Sequence, residues 1–476
     1  MSYVSPTLPM RKIKNVFFIG IGGVGMSGIA EVMLNLDFSV FGSDNHPNAA
    51  TKRLENLGAT IYSIHDGENV HSMDVVVVSS AINPDNVEVK AALEKRIPII
   101  QRAEMLAELM RFRQGIAVAG THGKTTTTSL VATVMAEAGL DPTFIVGGRV
   151  NSAGSNSQLG SSEYLVAEAD ESDASFLHLQ PIIAIVTNID ADHLVSYEND
   201  FEKLRNAFVE FLHNIPFYGL AVLCIDDEIV RSLIPEVARP YVTYGFTPDA
   251  DIYATDIHYQ HEKTTFTVKG KCVDKAMTFT LNLPGKHNVL NALASIAVGL
   301  EFETPAERIA HALDNFAGIG RRMQHIGTLK LLGGDAEFID DYAHHPKEIA
   351  ATVDGVRHGW MNHRIVAVFQ PHRFTRTRDL FDDFVAVLND VDVLVLLNVY
   401  PAGEQLINNA DSRALIHALR LRGNLDAVLL EDDQELGTTL ANIVAPNDIV
   451  LTLGAGSIGK LASTLCQQVQ SEVELA

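Results

Sequence analysis

A β-branched run, Gly115-Ile116-Ala117-Val118-Ala119, stops at Gly120-Thr121-His122-Gly123-Lys124-Thr125-Thr126, and a helical stretch from Thr127 to Ala138 follows. Strand, glycine loop and helix in that order demand a βα unit whose loop N–H groups and helix N-terminus face an anion. Lys124 adds a point charge, and Thr125 offers a hydroxyl to Mg²⁺. The first glycine of the general G-x-x-x-x-G-K-[ST] pattern would stand at position 118, which is Val118. The loop is therefore a shortened relative of that pattern. A plain surface turn is the alternative, and the strand and helix on either side weigh against it.

A second glycine turn lies near the start. The apolar run Val16 to Ile19 leads into Gly20-Ile21-Gly22-Gly23-Val24-Gly25 and a helix through Leu36, and Asp44 ends the next strand. This is G-x-G-x-x-G in its proper context, with an acid placed for a ribose hydroxyl. Two readings stand: a nicotinamide-dependent dehydrogenase, or a site for the diphosphate of some other nucleotide. Further strands at 60–62, 74–78 (ending in Ser79 and Ser80) and 97–100 imply a parallel sheet. Those serines suit ligand contact and loop capping equally.

Composition narrows the field. With 59 acidic against 36 basic residues and a formal net charge of -23, the chain lacks the basic footprint of a nucleic-acid binder. Cys224, Cys272 and Cys466 are far apart, so neither a disulfide framework nor a cysteine zinc site is expected. No apolar stretch is long enough to span a bilayer and no signal peptide is evident, so a cytoplasmic protein of roughly three domains is expected.

Beyond the loop, Tyr164 to Ala167 delivers Glu168 at a strand end, a place from which a carboxylate supports loop-bound Mg²⁺. The strand 182–186 ends at Asn188, Asp192 and His193, which suit a second metal or a terminal phosphate. Residues 221–283 read as β-rich, and a helix from Val289 to Leu300 follows His287 and Asn288, with Asn291 one turn on. Asn288 fits either a helix cap or a purine contact. In the last third, strand ends carry Asp341, Tyr342, His344, His345, His372, Arg373 and Arg376. No HExxH spacing supports a zinc hydrolase, whereas the arginines suit carboxylate or phosphate.

The ordered set GIGGVGMSGIA, GTHGKTTTT, EADESDASFLHLQP, TNIDADH, LPGKHNVLNALA, GRR, DDYAHHP and QPHRFTRTRD resembles the Mur ligase family of peptidoglycan synthesis from about residue 16 to about residue 460. GTHGKTT is shared across that superfamily, folylpolyglutamate synthetases included. GGVGMSGIA together with QPHRFTRTRD points to its alanine-adding branch.

The resemblance implies an α/β protein of three domains. Residues 1–107 would form a Rossmann-like domain for the UDP-substrate, 108–318 a central P-loop-type ATPase with an added β-rich segment, and 319–476 a Rossmann-like, mobile amino-acid-binding domain. It implies ATP, Mg²⁺ (or Mn²⁺ in its place), UDP-N-acetylmuramate and L-alanine as ligands, with neither nucleic acid nor membrane as partner. Gly20, Gly22, Gly23, Val24, Gly25, Ser43, Asp44, Ser79 and Ser80 would serve the UDP-substrate. Gly120, Thr121, His122, Gly123, Lys124, Thr125, Thr126, His287, Asn288, Asn291 and Arg321 would serve ATP. Thr125, Glu168 and His193 would hold metal. Asp341, Tyr342, His344, His372, Arg373 and Arg376 would face the amino acid and acyl phosphate. Lys124, Glu168, Asn188, His193, Arg321, His344 and His372 would carry the catalysis. One position departs from the pattern: an acid often follows the Asp-His segment, and here Val195 stands there. A ligase adding a preformed peptide is the nearest rival, and a non-enzymatic ATP-dependent switch a more distant one. Oligomeric state is left open by the sequence.

Overall fold

The runs read as strands are buried on consecutive residues rather than alternate ones; Val75–Val78, Ile183–Val186 and Val393–Leu397 are buried throughout. Continuous burial means that both faces are covered, as in a parallel sheet flanked by helices. A computed structural model, which describes residues 10, 12–79, 82–151, 155–192, 194–273, 275–422 and 425–475, contains three such sheets.

The first comprises β1 (Asn15–Ile19), β2 (Ser39–Ser43), β3 (Thr60–Tyr62), β4 (Val75–Val78) and β5 (Ile99–Gln101), all parallel, in the order β3-β2-β1-β4-β5. Between and after the strands run α1 (Val24–Asn35), α2 (Ala49–Asn56), α3 (Val87–Glu94) and α4 (Arg102–Arg111). Strand order reverses at β1, so its carboxyl end opens on the crevice where such sheets take ligands. Asn48 and Asn86 cap α2 and α3 through their side-chain oxygens, which satisfies N–H groups that the helices leave unpaired.

The second sheet holds β6 (Gln114–Ala119), β7 (Thr143–Val150), β8 (Ser155–Gln158), β9 (Tyr164–Glu168), β10 (Ile183–Val186), β11 (Leu220–Cys224), β12 (Tyr241–Gly245), β13 (Ile252–Gln260), β14 (Lys263–Gly270) and β15 (Met277–Leu281). Their order is β15-β14-β13-β12-β11-β10-β6-β9-β7-β8. The expected β-rich stretch is thus the outer half of this sheet. β6 lies between β9 and β10, parallel to both, which makes a second reversal point. The helices here are α5 (Lys124–Glu137), α6 (Phe201–His213), α7 (Glu228–Leu233), α8 (Lys286–Glu301) and α9 (Ala306–Asp314).

The third sheet runs β16-β17-β21-β18-β19-β20, with β16 (Gln324–Leu331), β17 (Gly334–Asp341), β18 (Ile365–Phe369), β19 (Val393–Leu397), β20 (Asp426–Leu430) and β21 (Ile449–Leu453). Only the β16–β17 pair is antiparallel. α10 (Pro346–Gly359) follows β17, and α11 (Phe374–Asp379) follows β18.

By packing, the chain divides into two units. One takes the chain through Asp256 together with Phe266–Phe279 and Leu290–Ala317; the other takes Ile257–Thr265, Thr280–Val289 and Gly318 onward. In the first, one apolar core runs from Phe18 and Ile29 to Phe208 and Phe211. In the second, cores line each face of the third sheet, one around Phe369 and Phe384 and one around Phe338 and Leu465.

Two helices begin earlier than the residue pattern indicates. α5 starts at Lys124, because Gly123 takes a left-handed conformation that turns the loop directly into the helix. α8 starts at Lys286, so Asn288 lies within its first turn and is not its cap.

Candidate functional site

Four elements of the first unit build the phosphate loop. Gly120 and Gly123 have φ of +131° and +81°, a region costly for any side chain, and a Cβ on Gly123 would sit 2.6 Å from Asn291 Oδ1. Gly123 caps α5 without a side chain, which leaves the first-turn N–H groups open to an anion. The segment after β10 grips the loop from beneath. Asn188 Nδ2 donates to the His122 carbonyl (3.0 Å) while its Oδ1 accepts from the His122 N–H (2.8 Å). Thr187 Oγ1 donates to the same carbonyl (2.7 Å), and Asp190 N–H donates to Thr121 Oγ1 (2.8 Å). Asn188 therefore braces the loop backbone with both ends of its amide.

Hydrogen-bonded register sets the remaining groups beside the loop. Glu168 is paired with Val118 across β9 and β6, and Val186 with Ala119 across β10 and β6. Glu168 Oε1 accepts from the Gly147 N–H (2.6 Å). Thr125 lies buried in the first turn of α5. A helix-start hydroxyl and a strand-end carboxylate are hard oxygen donors, and this donor set fits Mg²⁺. Lys124 Nζ reaches the Gly120 and Thr121 carbonyls and both oxygens of the buried Glu171. Burial works against the ammonium charge, but Glu171, Asp170 and Glu168 outweigh it and hold its pKa above the ordinary value. Asn291 lies beside the loop, its Oδ1 accepting from Thr127 Oγ1 (3.1 Å).

The glycine turn after β1 is held differently. Asp44 Oδ2 accepts from the Gly22 N–H (2.9 Å) and Oδ1 from the His46 N–H (2.9 Å), so this acid fixes the turn itself. Ser43 is fully buried and donates to Glu88 Oε2 (2.6 Å), a carboxylate that also meets His65 Nδ1 (2.8 Å). The Arg102 guanidinium lies over Gly25, where a Cβ would stand 3.1 Å from it, and pairs with Asp170 at 3.1 Å. A cavity of about 340 Å³ opens beside the turn, lined by Gly22, Val24, Glu31, Arg53, Gly147 and Asn156. Gly147 carries it to the neighbour of Glu168. Gly20, Gly23 and Ser79 lie at the same strand ends. Ser80 and His193 lie outside the described residues.

In the second unit, strand ends of the third sheet gather another cluster. Asp341, closing β17, is buried and accepts from the Met323 and Ala343 N–H groups at 2.8 Å each. Burial pushes its pKa up to about 6, against the pull of Arg322. Tyr342 lies beneath Arg321 and Arg322, whose guanidinium carbons are 5.1 and 5.3 Å from its ring centre. Arg321 Nε also pairs with Asp340 at 2.9 Å. The His344 ring meets Tyr342 and His372 edge to face, and Tyr400 stacks on His372 with ring centres 5.5 Å apart. Burial lowers both His344 and His372 to about 4, and neighbouring arginines add to it, so both rings are neutral at neutral pH. Arg376 Nη1 stands 3.4 Å from His372 Nδ1.

Arg373 adopts φ +73°, ψ +137°, a conformation costing about 1–3 kcal/mol for a non-glycine residue. Its N–H is tied to the Tyr400 carbonyl (2.8 Å), which helps to hold it there. His287, half-buried and pushed down to about 4 by desolvation and Arg322, belongs to this unit, as does Asn288, whose Nδ2 donates to the Pro284 carbonyl (2.7 Å). Tyr400, Arg102 and Glu171 escaped the sequence reading. Only Glu171 left a signal there, within the acidic run after β9.

Comparison with known proteins accounts for the chain in three consecutive stretches. The family model described as "Mur ligase family, catalytic domain" matches residues 15–114, "Mur ligase middle domain" 118–299, and "Mur ligase, glutamate ligase domain" 321–456. Among solved structures, the chain is similar to the UDP-N-acetylmuramate-alanine ligase of Thermotoga maritima. The two are 29% identical over 96% of this chain and 99% of that one, with a TM-score of 0.82. The fold is shared with a murein peptide ligase of Psychrobacter arcticus (24% identity, 96% and 99% coverage, TM-score 0.69). It is likewise shared with a MurF ligase of Thermotoga maritima solved with ADP (15% identity, 92% and 95% coverage, TM-score 0.61). Three consecutive family models and an alanine-ligase likeness along nearly the whole chain lead to one conclusion: this protein belongs to the Mur ligase family of amide-forming enzymes.

Proposed function

We propose that the protein joins L-alanine to the carboxylate of UDP-N-acetylmuramate at the expense of ATP. The observation that carries this reading is the likeness to the alanine ligase over 96% of the chain, stronger in both identity and TM-score than that to the murein peptide ligase. In this reading residues 1–107 hold the UDP-sugar, 108–318 hold ATP, and 319–476 hold the amino acid.

A carboxylate is a poor electrophile. Its oxygen attacks the γ-phosphorus of ATP, ADP leaves, and an acyl phosphate forms. The free amine of alanine then attacks the acyl carbon, phosphate leaves, and an amide remains. Positioning and charge neutralisation carry most of such a reaction. The glycine turn Gly20–Gly25 and the adjoining cavity seat the diphosphate and sugar, with Gly147 leading towards Glu168. Lys124 and the α5 N-terminus draw the ATP phosphates. Thr125 and Glu168 would hold one Mg²⁺ and His193 a second, and the ions would supply charge neutralisation when bound. Arg373 and Arg376 take the amino-acid carboxylate, and one of His344, His372 and Asp341 takes the ammonium proton.

The test is phosphate release from ATP with Mg²⁺ and UDP-N-acetylmuramate, alone or with L-alanine, glycine, L-serine or a free tripeptide. Release strongest with L-alanine and dependent on the UDP-sugar is expected. Release with the tripeptide alone moves the chain to the peptide-adding reading, which the shared fold with a murein peptide ligase keeps as the second choice. No release in a folded sample overturns both.

A further inference from the structure

An ammonium carries three N–H groups. Lys124 Nζ has four acceptors around it: the Gly120 carbonyl at 2.6 Å, the Thr121 carbonyl at 3.1 Å, and the two Glu171 oxygens at 2.7 and 3.0 Å. Its donors are fully committed. Glu171 is no passing surface contact, since it is 2% exposed and Tyr197 donates its hydroxyl to the Glu171 carbonyl (2.5 Å). A phosphate oxygen that reaches Lys124 must therefore displace a partner. The two loop carbonyls are neutral and covalently part of the loop. The carboxylate is the partner that resembles phosphate in charge, and it is carried by a side chain and not by the loop backbone.

We propose that Glu171 is an internal competitor for Lys124, an anion built into the chain that nucleotide phosphate has to displace, and that it thereby sets how tightly the loop holds nucleotide. This deepens the ATP-site reading and rests on it. Displaced, Glu171 remains beside Asp170, whose like charge favours its return to Lys124. The competition therefore loosens nucleotide and speeds the departure of ADP after phosphoryl transfer.

The test is calorimetric titration of the full-length protein with Mg²⁺–ADP. Glu171→Gln, which keeps shape and removes charge, binds ADP about fivefold or more tighter than the wild type. Glu171→Asp, with the charge on a shorter arm, falls between the two. In a Lys124→Ala background, Glu171→Gln changes ADP affinity by less than about twofold, because the competition runs through the missing ammonium. A purely structural role for Glu171 does not produce that dependence on Lys124. Unchanged or weaker ADP binding in a folded Glu171→Gln protein overturns the proposal, as does equal tightening without Lys124. If Glu171→Gln does not fold, the Asp variant decides by the same criterion: tighter supports, unchanged or weaker overturns. Wild-type protein that binds no ADP at all strikes the nucleotide site itself, an outcome distinct from the others.

Discussion

The first unit contains two strand–glycine–helix turns built on one plan and held in opposite ways. At the turn after β1, the α1 cap is Gly23 with φ −63°, a conformation open to any residue, and Asp44 ties the Gly22 N–H. Its nearest cation, Arg102, comes from α4. At the turn after β6, the cap is Gly123 with φ +81°, the cation Lys124 is the first residue of the helix, and four hydrogen bonds from residues 187–190 lock the backbone. The difference teaches that a glycine-rich turn is only a place for phosphate. A diphosphate that is merely held needs a shaped seat, whereas one that reacts needs fixed backbone dipoles and a charge at close range.

The contrast can be broken or sharpened by substitution. The largest effect belongs to Lys124→Ala, which lowers ATP-dependent phosphate release ~10³-fold yet leaves UDP-N-acetylmuramate affinity unchanged; weakened UDP-sugar binding in a folded variant would merge the two sites. Next comes a matched pair of caps. Gly123→Ala is expected to lose about 2 kcal/mol of stability or more, from its left-handed φ and the Asn291 contact. Gly23→Ala should stay within about 0.5 kcal/mol, since a Cβ there meets nothing closer than 3.4 Å. Equal losses in urea unfolding would erase the distinction.

Smaller again is Asn48→Ala, which removes the α2 capping box beside the first turn and costs about 1 kcal/mol. It should weaken UDP-sugar binding without touching ADP, and the reverse pattern would count against the assignment of the turns.

The second unit, with neither turn, supplies a reference through pH. His287, His344 and His372 fall to about 4 in the folded chain, against about 6.5 unfolded. The unfolded chain therefore binds more protons in that window, and stability rises with pH through it. Asp341 acts oppositely, because its folded value of about 6 lies above the unfolded one, and stability falls as pH rises towards 6. Three groups outweigh one. Urea midpoints followed by fluorescence of Trp360, the single tryptophan and buried in this unit, should climb from pH 4.5 to 6.5. The climb should steepen in Asp341→Asn, and a flat or falling profile would contradict the burial of these histidines.

Much of this was legible in the residues. Apolar runs ending in glycine, acid or amide mark β1, β6, β9 and β10, because a fully buried strand has no reason to be polar until it meets its ligand edge. The alternation of such runs with helical stretches also gives the parallel strands of the three sheets. What escaped is what depends on distance in the chain. Nothing local to Asn188 says that its amide will be spent on His122, and nothing local to Asp44 says that it will hold Gly22. Tyr400 lies outside every motif, yet it stacks on His372 and ties the backbone of Arg373. The start of α5 was displaced for a similar reason, since a left-handed Gly123 admits three residues to the helix that look like loop.

The register around β6 has a consequence in time. Residue 118 waits for residue 168, and residue 119 for residue 186, before the strand has either neighbour. During synthesis the loop leaves the ribosome long before the chain that braces it, and contacts of such separation close slowly. Nucleotide can therefore reward only a chain that has already threaded β6 between its partners. It acts as a late seal on the folded protein and not as a template for folding.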